Sequence, residues 1–247
     1  MRLKDKVAIV TGAARGLGRV FASALAREGA IIVALDIMYP EETIGLITSQ
    51  GGNAQAAQAD VTKEADCRRV VDETVSRFGR IDILVNNAAI IFGLKRKPFY
   101  EIDPEEWDKV MAVNVKGAWL CTKTVFPHMQ RQKKGKIVNL SSETYFTGSH
   151  GFVHYVTSKA GVVGLTRSLS IELGPHNITV NAIAPGFTDS EASRSIDDVS
   201  KYDVSRTPMG RLQQPDDLIG TLLFLCSEDS DFITGQTILV DGGRVKH

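Results

Sequence analysis

The feature that most constrains this chain is a regular alternation of short, almost wholly apolar runs with helix-length amphipathic stretches. Lys6 to Thr11, Ala30 to Asp36, Asn53 to Ala59, Ile81 to Val85, Lys136 to Leu140, Ile178 to Ile183 and Gln236 to Val240 all have strand length, and most are rich in Val, Ile and Leu. Between them lie stretches such as Gly16 to Glu28 and the charged segment Lys63 to Phe78. Strands apolar along their whole length are buried on both faces, and the intervening helices supply the cover. Right-handed crossovers then give a doubly wound, Rossmann-type α/β sheet of about seven parallel strands with helices on both faces. In such a sheet the ligand site lies beyond the strand C-termini, where the strand order reverses.

Length and composition narrow the class further. At 247 residues the chain sits between one and two domains. No Ser/Gly linker, charge block or internal repeat divides it, so one catalytic domain over 1–247 is expected. Lys+Arg and Asp+Glu both number 29, which leaves no net field for nucleic acid or an anionic membrane. The longest apolar run, Leu218 to Cys226, is about half the roughly 18–20 residues that a bilayer span needs. The N-terminal stretch lacks the long apolar region of a signal peptide. Cys67, Cys121 and Cys226 are odd in number and far apart, which offers neither a disulfide frame nor a metal knuckle. A soluble, cytoplasmic protein is expected.

After the first run comes Thr11-Gly12-Ala13-Ala14-Arg15-Gly16-Leu17-Gly18. Glycines there allow a tight turn, let backbone N–H groups approach a phosphate and let the following helix pack closely on the sheet. The helix beginning near Gly16 aims its positive end at the same place. Asp36 ends the second strand, where a carboxylate accepts hydrogen bonds from an adenosine ribose. It would repel a 2′-phosphate about 4 Å away by several kcal/mol at an effective dielectric of about 20. Arg15, in the glycine turn, could offset part of that repulsion by pairing with the phosphate. The carboxylate is expected to prevail, which favours NAD over NADP.

Tyr155 and Lys159 stand four apart at the start of an apolar-periodic stretch, so a helix stacks them on one face. A lysine ammonium about 4 Å from a phenol favours the phenolate by roughly 4 kcal/mol, bringing a tyrosine toward useful acid–base range. Ser141-Ser142 and Asn86-Asn87-Ala88-Ala89 follow strands on the expected ligand edge, and Pro185-Gly186 follows another. Asn114 is a polar residue within an apolar helical segment. His150 and His154 are also four apart, but no third ligand accompanies them and no metal is expected.

Taken in order, these motifs resemble the short-chain dehydrogenase/reductase family of the small single-domain type, over nearly the whole chain. The resemblance rests on Thr11–Gly18, Asp60-Val61, Asn86–Ala89, Asn114, Ser142, Tyr155, Lys159, Asn181 to Gly186 and Val240-Asp241-Gly242-Gly243. It implies that Tyr155 is the proton donor and acceptor and that Ser142 orients the substrate oxygen. Lys159 would lower the tyrosine pKa and hold the nicotinamide ribose, while Asn114 would support a proton relay. Gly12, Arg15, Gly16, Leu17 and Gly18 would meet the pyrophosphate region. Asp60, Val61, Asn87 and Ala88 would meet the adenosine side, and Pro185, Gly186 and Thr188 the carboxamide side. Two departures stand out: Ala89 where glycine is usual, and Ser190 where threonine is commoner. A homotetramer is implied by the resemblance, with the helical face Val153 to Leu169 and the edge strand Gln236–Val240 compatible with it.

The substrate region is expected to draw on residues 90–97, 143–153 and 187–211. Ile90, Ile91, Phe92, Glu143, Tyr145, Phe146, Phe152, Phe187 and Met209 are its candidates, with Ser142, Tyr145, Phe152, Tyr155 and Phe187 foremost. An apolar, partly aromatic pocket suits a hydrophobic or ring-bearing small-molecule substrate. The segment 187–211, polar and charged over Ser190 to Arg206, reads as a lid. The leading expectation is an NAD-dependent secondary-alcohol dehydrogenase or ketone reductase. One alternative is an NADPH-dependent 3-oxoacyl-thioester reductase; another is a non-catalytic dinucleotide sensor or scaffold.

Overall fold

In the computed structural model, which describes residues 1–246, the seven apolar runs become strands. They are β1 (Val7–Thr11), β2 (Ile31–Asp36), β3 (Ala54–Gln58), β4 (Ile83–Asn86), β5 (Gly135–Leu140), β6 (Ile178–Pro185) and β7 (Thr237–Val240). All pair in parallel, in the order β3-β2-β1-β4-β5-β6-β7. The crossovers carry α1 (Gly16–Arg27), α2 (Glu41–Ser49), α3 (Glu64–Phe78), α4 (Pro104–Met111) and α5 (Ala118–Gln132). After β5 come the short α6 (Thr144–Thr147) and the long α7 (Val153–Leu173); after β6 come α8 (Glu191–Ile196) and α9 (Ile219–Cys226). The expected fold class, a Rossmann-type sheet covered on both sides, is the observed one.

Most boundaries lie within one residue of expectation, and two move by two residues for local reasons. β4 begins at Ile83 rather than Ile81, because the Asp82 carboxylate accepts the Val7 N–H at 2.9 Å and is gripped by Arg80. β6 runs on to Pro185, because its last residues pair with β7 in the register Pro185↔Val240.

Successive residues of each strand point to opposite faces, and the two faces build separate cores. On one, Ala8, Val10, Ile32, Ala34 and Ile83 meet Phe21 and Leu25 of α1 and Leu222 and Leu225 of α9. On the other, Ile9, Val33, Leu84 and Ile137 meet Val70 and Val71 of α3 and Leu120, Val125 and Met129 of α5. Among the described residues, no helix is long and apolar enough to cross a membrane. The cysteines are free and buried, with the Cys67 and Cys121 sulfurs 3.8 Å apart inside the second core.

Buried polar links hold the strands that matter for the site. Asn86 Nδ2 donates to Asn139 Oδ1 at 2.8 Å and to Thr122 Oγ1 at 3.2 Å. Asn139 Nδ2 in turn donates to Thr166 Oγ1 of α7 at 2.9 Å. Three elements are therefore pinned in register by one amide that is fully buried. Between α4 and α5 the helix widens into a π-helical stretch, Ala112–Gly117, that contains Asn114. Such bulges insert an extra residue into the helical ladder and often accompany functional sites.

Replacing the central amide, Asn139→Ala, leaves its partners short of a hydrogen bond in a dry setting. The expected loss is about 1–3 kcal/mol, read as a lower urea midpoint at unchanged slope.

Candidate active site

A cavity of about 620 Å³ runs along the C-terminal edge of the sheet. Its floor is the switch point between β1 and β4, and its ends are marked by Asp36 on one side and by Ser142, Tyr155 and Lys159 on the other.

At the first end the glycine turn and the loop after β4 are fastened together. Thr11 Oγ1 accepts the N–H groups of Asn87 and Ala88, each at 3.0 Å. Asn87 Nδ2 donates to the carbonyls of Thr11 and Gly12 at 3.0 and 3.1 Å. Gly12 has φ +66, and a Cβ there would come within 2.8 Å of Ala88 Cα, so both its dihedral and its space require glycine. Gly16, at φ +55 with open space around it, begins α1, whose first turn no side chain caps. Its N–H groups are available to an anion. Gly12, Arg15, Gly16 and Leu17 line the cavity. Gly18 does not: it is buried one layer beneath, where a Cβ would run into the Gly12 carbonyl oxygen. It was expected to bind cofactor; the geometry makes it a packing glycine that lets the turn sit down on α1.

Asp36 is 9% exposed and lines the same end with Asp60, Val61, Asn87 and Ala88. Its Oδ2 accepts the Ala14 N–H at 2.9 Å and its Oδ1 the Met38 N–H at 3.0 Å, so each oxygen is aimed while keeping a lone pair. The Arg15 guanidinium lies 3.7 Å over the Phe92 ring.

At the other end β5 delivers Ser141 and Ser142 to the cavity and α7 delivers Tyr155 and Lys159. Ser141 Oγ donates to the Lys159 carbonyl at 2.9 Å, which clips the two elements together. Ser142 Oγ accepts from Thr144 Oγ1 at 3.0 Å and hydrogen-bonds the Tyr155 phenol. Lys159 Nζ donates to the Leu140 carbonyl at 2.8 Å and lies 5.5 Å from the centre of the Tyr155 ring. Asn114 is 2% exposed and does not line the cavity. It takes the Ile90 N–H on Oδ1 at 2.7 Å and gives Nδ2 to Ser158 Oγ at 2.9 Å, joining the cavity wall to α7.

Desolvation, rather than the lysine, dominates the Tyr155 phenol. Burial raises the Tyr155 phenol to about 12, with the Ser142 hydrogen bond pulling the other way. Burial also lowers the Lys159 ammonium to about 8. The amine is held by a neutral carbonyl rather than by a charge, and desolvation outweighs its influence on the phenol.

Pro185, Gly186 and Thr188 also border the cavity, and Thr188 Oγ1 bonds Gln213 Oε1 and the Gly186 carbonyl, both at 3.0 Å. On the substrate side Ile90, Ile91, Phe92, Phe152 and Phe187 are lining residues. Ile90, Ile91, Phe152 and Tyr155 share an apolar cluster with Ile196 of α8. Tyr145, expected as a substrate residue, is not at the cavity. The single turn of α6 swings it outward, with its ring 4.0 Å from Phe146 and its phenol in the field of Arg167. Phe146 and Met209 also lie off the cavity wall, 41% and 65% exposed. His154 is fully buried with Nε2 3.2 Å from Glu106 Oε1, and no metal-binding cluster exists among the described residues.

Arg96, Thr144 and Tyr202 border the cavity from within the expected substrate ranges, though none stands among the named candidates, and Arg244 borders it from outside those ranges. Tyr202 stacks on Phe187 with ring centres 4.4 Å apart. As the sole aromatic in the polar stretch Ser190 to Arg206, it carried a signal that could have been read. Arg244 is brought back by the turn at Gly242 and Gly243, with φ +67 and +84, and sits over the Tyr202 ring.

Comparison with known proteins adds four likenesses. A family model described as enoyl-(acyl carrier protein) reductase matches residues 12–244. The (2S)-[(R)-hydroxy(phenyl)methyl]succinyl-CoA dehydrogenase subunit BbsD of Thauera aromatica is 40% identical, over 99% of this chain and 98% of its own. The 3-oxoacyl-[acyl-carrier-protein] reductase FabG of Thermotoga maritima is 38% identical, over 99% and 100%. A crystal structure of 3-ketoacyl-(acyl-carrier-protein) reductase from Brucella melitensis complexed with NADH superposes with a TM-score of 0.89 at 35% identity, covering 98% and 99%.

The state of Lys159 has a measurable consequence. Between pH 8 and 10.5 the unfolded chain keeps a proton that the folded amine has released, so stability rises with pH across that window. Wild type is expected to gain roughly 3 kcal/mol there relative to Lys159→Met, with the difference flat at lower pH, in parallel urea titrations of the ligand-free proteins.

Proposed function

The chain belongs to the short-chain dehydrogenase/reductase family, and from that premise we propose that it is an NAD-dependent alcohol dehydrogenase/ketone reductase. Its substrate is a secondary alcohol or ketone bearing a hydrophobic or aromatic group. The observation that carries the cofactor choice is Asp36, oriented by two backbone N–H groups at the cavity end and flanked by apolar Ile37 and Met38. Arg15, a cation of the glycine turn that could offset it, lies over Phe92 instead. Members of the family bind a nicotinamide dinucleotide, and the uncapped start of α1 with the open Gly16 suits its pyrophosphate.

In this reading Gly12, Arg15, Gly16 and Leu17 hold the pyrophosphate, Asp36 the adenosine ribose, and Asp60, Val61, Asn87 and Ala88 the adenine side. Lys159 and Tyr155 take the second ribose, and Pro185, Gly186 and Thr188 border the carboxamide. The bound dinucleotide supplies or accepts the hydride. Ser142 gives a hydrogen bond to the substrate oxygen and Tyr155 moves the proton at that oxygen. A phenol kept protonated by burial suits donation to a carbonyl. Oxidation of an alcohol needs the phenolate, and therefore Lys159 charged and turned toward the ring. Asn114, tied to Ile90 and Ser158, holds the relay side of the site.

The apolar cluster of Ile90, Ile91, Phe152 and Ile196 supports the hydrophobic substrate, as does a relative named for a hydroxy(phenyl)methyl compound. Segment 187–211 is the lid of a single catalytic domain, 1–247, fastened by Arg96 to Asp197 at 2.7 Å and by Arg244 to the Asp203 carbonyl at 3.2 Å. The proposed assembly is a cytoplasmic homotetramer built on the Val153–Leu169 face and on β7, an edge strand half-buried along its length. The rival reading, NADPH-dependent 3-oxoacyl-thioester reduction, draws on relatives such as FabG.

With a panel of aryl ketones, cyclic ketones and 3-oxoacyl thioesters, NADH is expected to exceed NADPH in kcat/KM by roughly a hundredfold on the ketones. Asp36→Asn narrows that ratio toward one; NADPH preference with thioester turnover instead favours the rival. Tyr155→Phe is expected to bind NADH as wild type does by cofactor fluorescence, while turnover falls about 10²–10⁴-fold. Tight NADH binding by wild type without turnover of any panel member would point to a sensor.

A further inference from the structure

We propose that Glu143 is a specificity-determining residue, whose carboxyl accepts a hydrogen bond from a donor, a hydroxyl or a protonated nitrogen, carried by the substrate next to the reacting carbonyl or carbinol. This deepens the alcohol/ketone reading above and rests on it.

Glu143 follows Ser142 directly, and its own N–H is fixed to the Pro185 carbonyl at 2.8 Å. The residue is thus wedged between the reacting serine and the loop after β6. It borders the cavity and is 5% exposed. Its Oε2 is buried without a hydrogen-bond partner. Its Oε1 is 3.9 Å from Arg244 Nε, too far for a hydrogen bond. The Phe187–Tyr202 stack borders the same cavity from the lid side.

A buried acceptor left empty is costly, and whatever displaces solvent from the cavity must bring a donor of its own. On the lid side the Phe187 N–H and the Tyr202 hydroxyl bear on the carboxyl, but Oε2 is met by neither at hydrogen-bond distance. Ile90, Ile91 and Phe152 are apolar, and the Ser142 hydroxyl is engaged with Thr144 and Tyr155. Burial raises the carboxyl to about 7, with Arg244, the Phe187 N–H and the Tyr202 hydroxyl opposing and Asp241 reinforcing the rise. An acid poised there welcomes a neutral or cationic donor and repels a carboxylate or phosphate at the same position.

The test compares kcat/KM with NADH for acetophenone, 2-hydroxyacetophenone and 2-aminoacetophenone. Wild type is expected to favour the two donor-bearing ketones. Glu143→Leu should cut the donor-to-acetophenone ratio about tenfold to a hundredfold. Glu143→Gln, which is isosteric and keeps an acceptor oxygen, should retain the hydroxyl preference and lose that for the amine. In wild type the hydroxyketone-to-acetophenone ratio should rise as pH passes through about 7. Tyr155, Lys159 and Tyr202 act on both substrates and Arg244 and Asp241 face both alike, so their effects cancel in that ratio. Equal ratios in wild type and both variants would overturn the proposal.

Absence of turnover for every ketone with either nucleotide would defeat the alcohol/ketone reading instead. The same compounds are then read by thermal shift of the NADH complex. A larger Tm rise with 2-hydroxyacetophenone than with acetophenone, lost in Glu143→Leu, supports the Glu143 role. Equal shifts overturn it.

Discussion

A parallel sheet covered on both faces has only its strand ends left for chemistry, and this constraint organises the whole molecule. Every strand runs the same way, so every loop that leaves a strand C-terminus emerges on one edge. Residues far apart in the chain, from Gly12 to Thr188, therefore border one cavity without any loop travelling far. The reversal of strand order between β1 and β4 opens the crevice, because the crossovers on either side of it depart in opposite directions. The two cores that bury the sheet faces are thereby also what keeps the cavity edge straight.

The second constraint is that the helix carrying Tyr155 and Lys159 buries polar groups. On α7, His154, Ser158, Lys159 and Thr166 are buried beside only a few apolar neighbours such as Val162. A stripe of this kind is tolerable because most of its members are provided for nearby. Ser158 meets the Tyr155 carbonyl and Asn114, Lys159 the Leu140 carbonyl, and Thr166 the Val162 carbonyl and Asn139. The amine, held by a neutral partner, sits in a site that discourages its own charge. Such a site stores a preference for an added polar ligand, since anything that hydrates or neutralises the ammonium's burial returns the amine toward its ordinary state.

The sheet was legible because it depends on pattern. Uninterrupted Val/Ile/Leu runs admit few arrangements, and the glycine turn followed by Asp36 sits where that arrangement predicts. Side-chain direction in short irregular pieces was not legible. Tyr145 and Glu143 are two residues apart, yet one is turned out to Phe146 and the other in to the cavity, a choice made by a single helical turn. Arg244 and Tyr202 reach the site only through folding of the C-terminal arm and the lid, which no local periodicity encodes. Gly18 was assigned to the ligand by its motif, whereas its real neighbour is the chain itself. Spacing brings the phenol and the amine to one cavity, but it says nothing of desolvation, which governs both.

The close approach of Gly12 to Ala88 bears on how a site like this can evolve. Two loops far apart in sequence meet so closely that a methyl group added at Gly12 would run into the Ala88 backbone. Substitution of Gly12 therefore requires the Ala88 loop to shift as well. Ile37 and Met38, by contrast, are 65% and 45% exposed at the rim beside Asp36 and border the same cavity. Descendants of this chain that change nucleotide can do so by drifting there, one residue at a time, while the glycine turn stays as it was inherited.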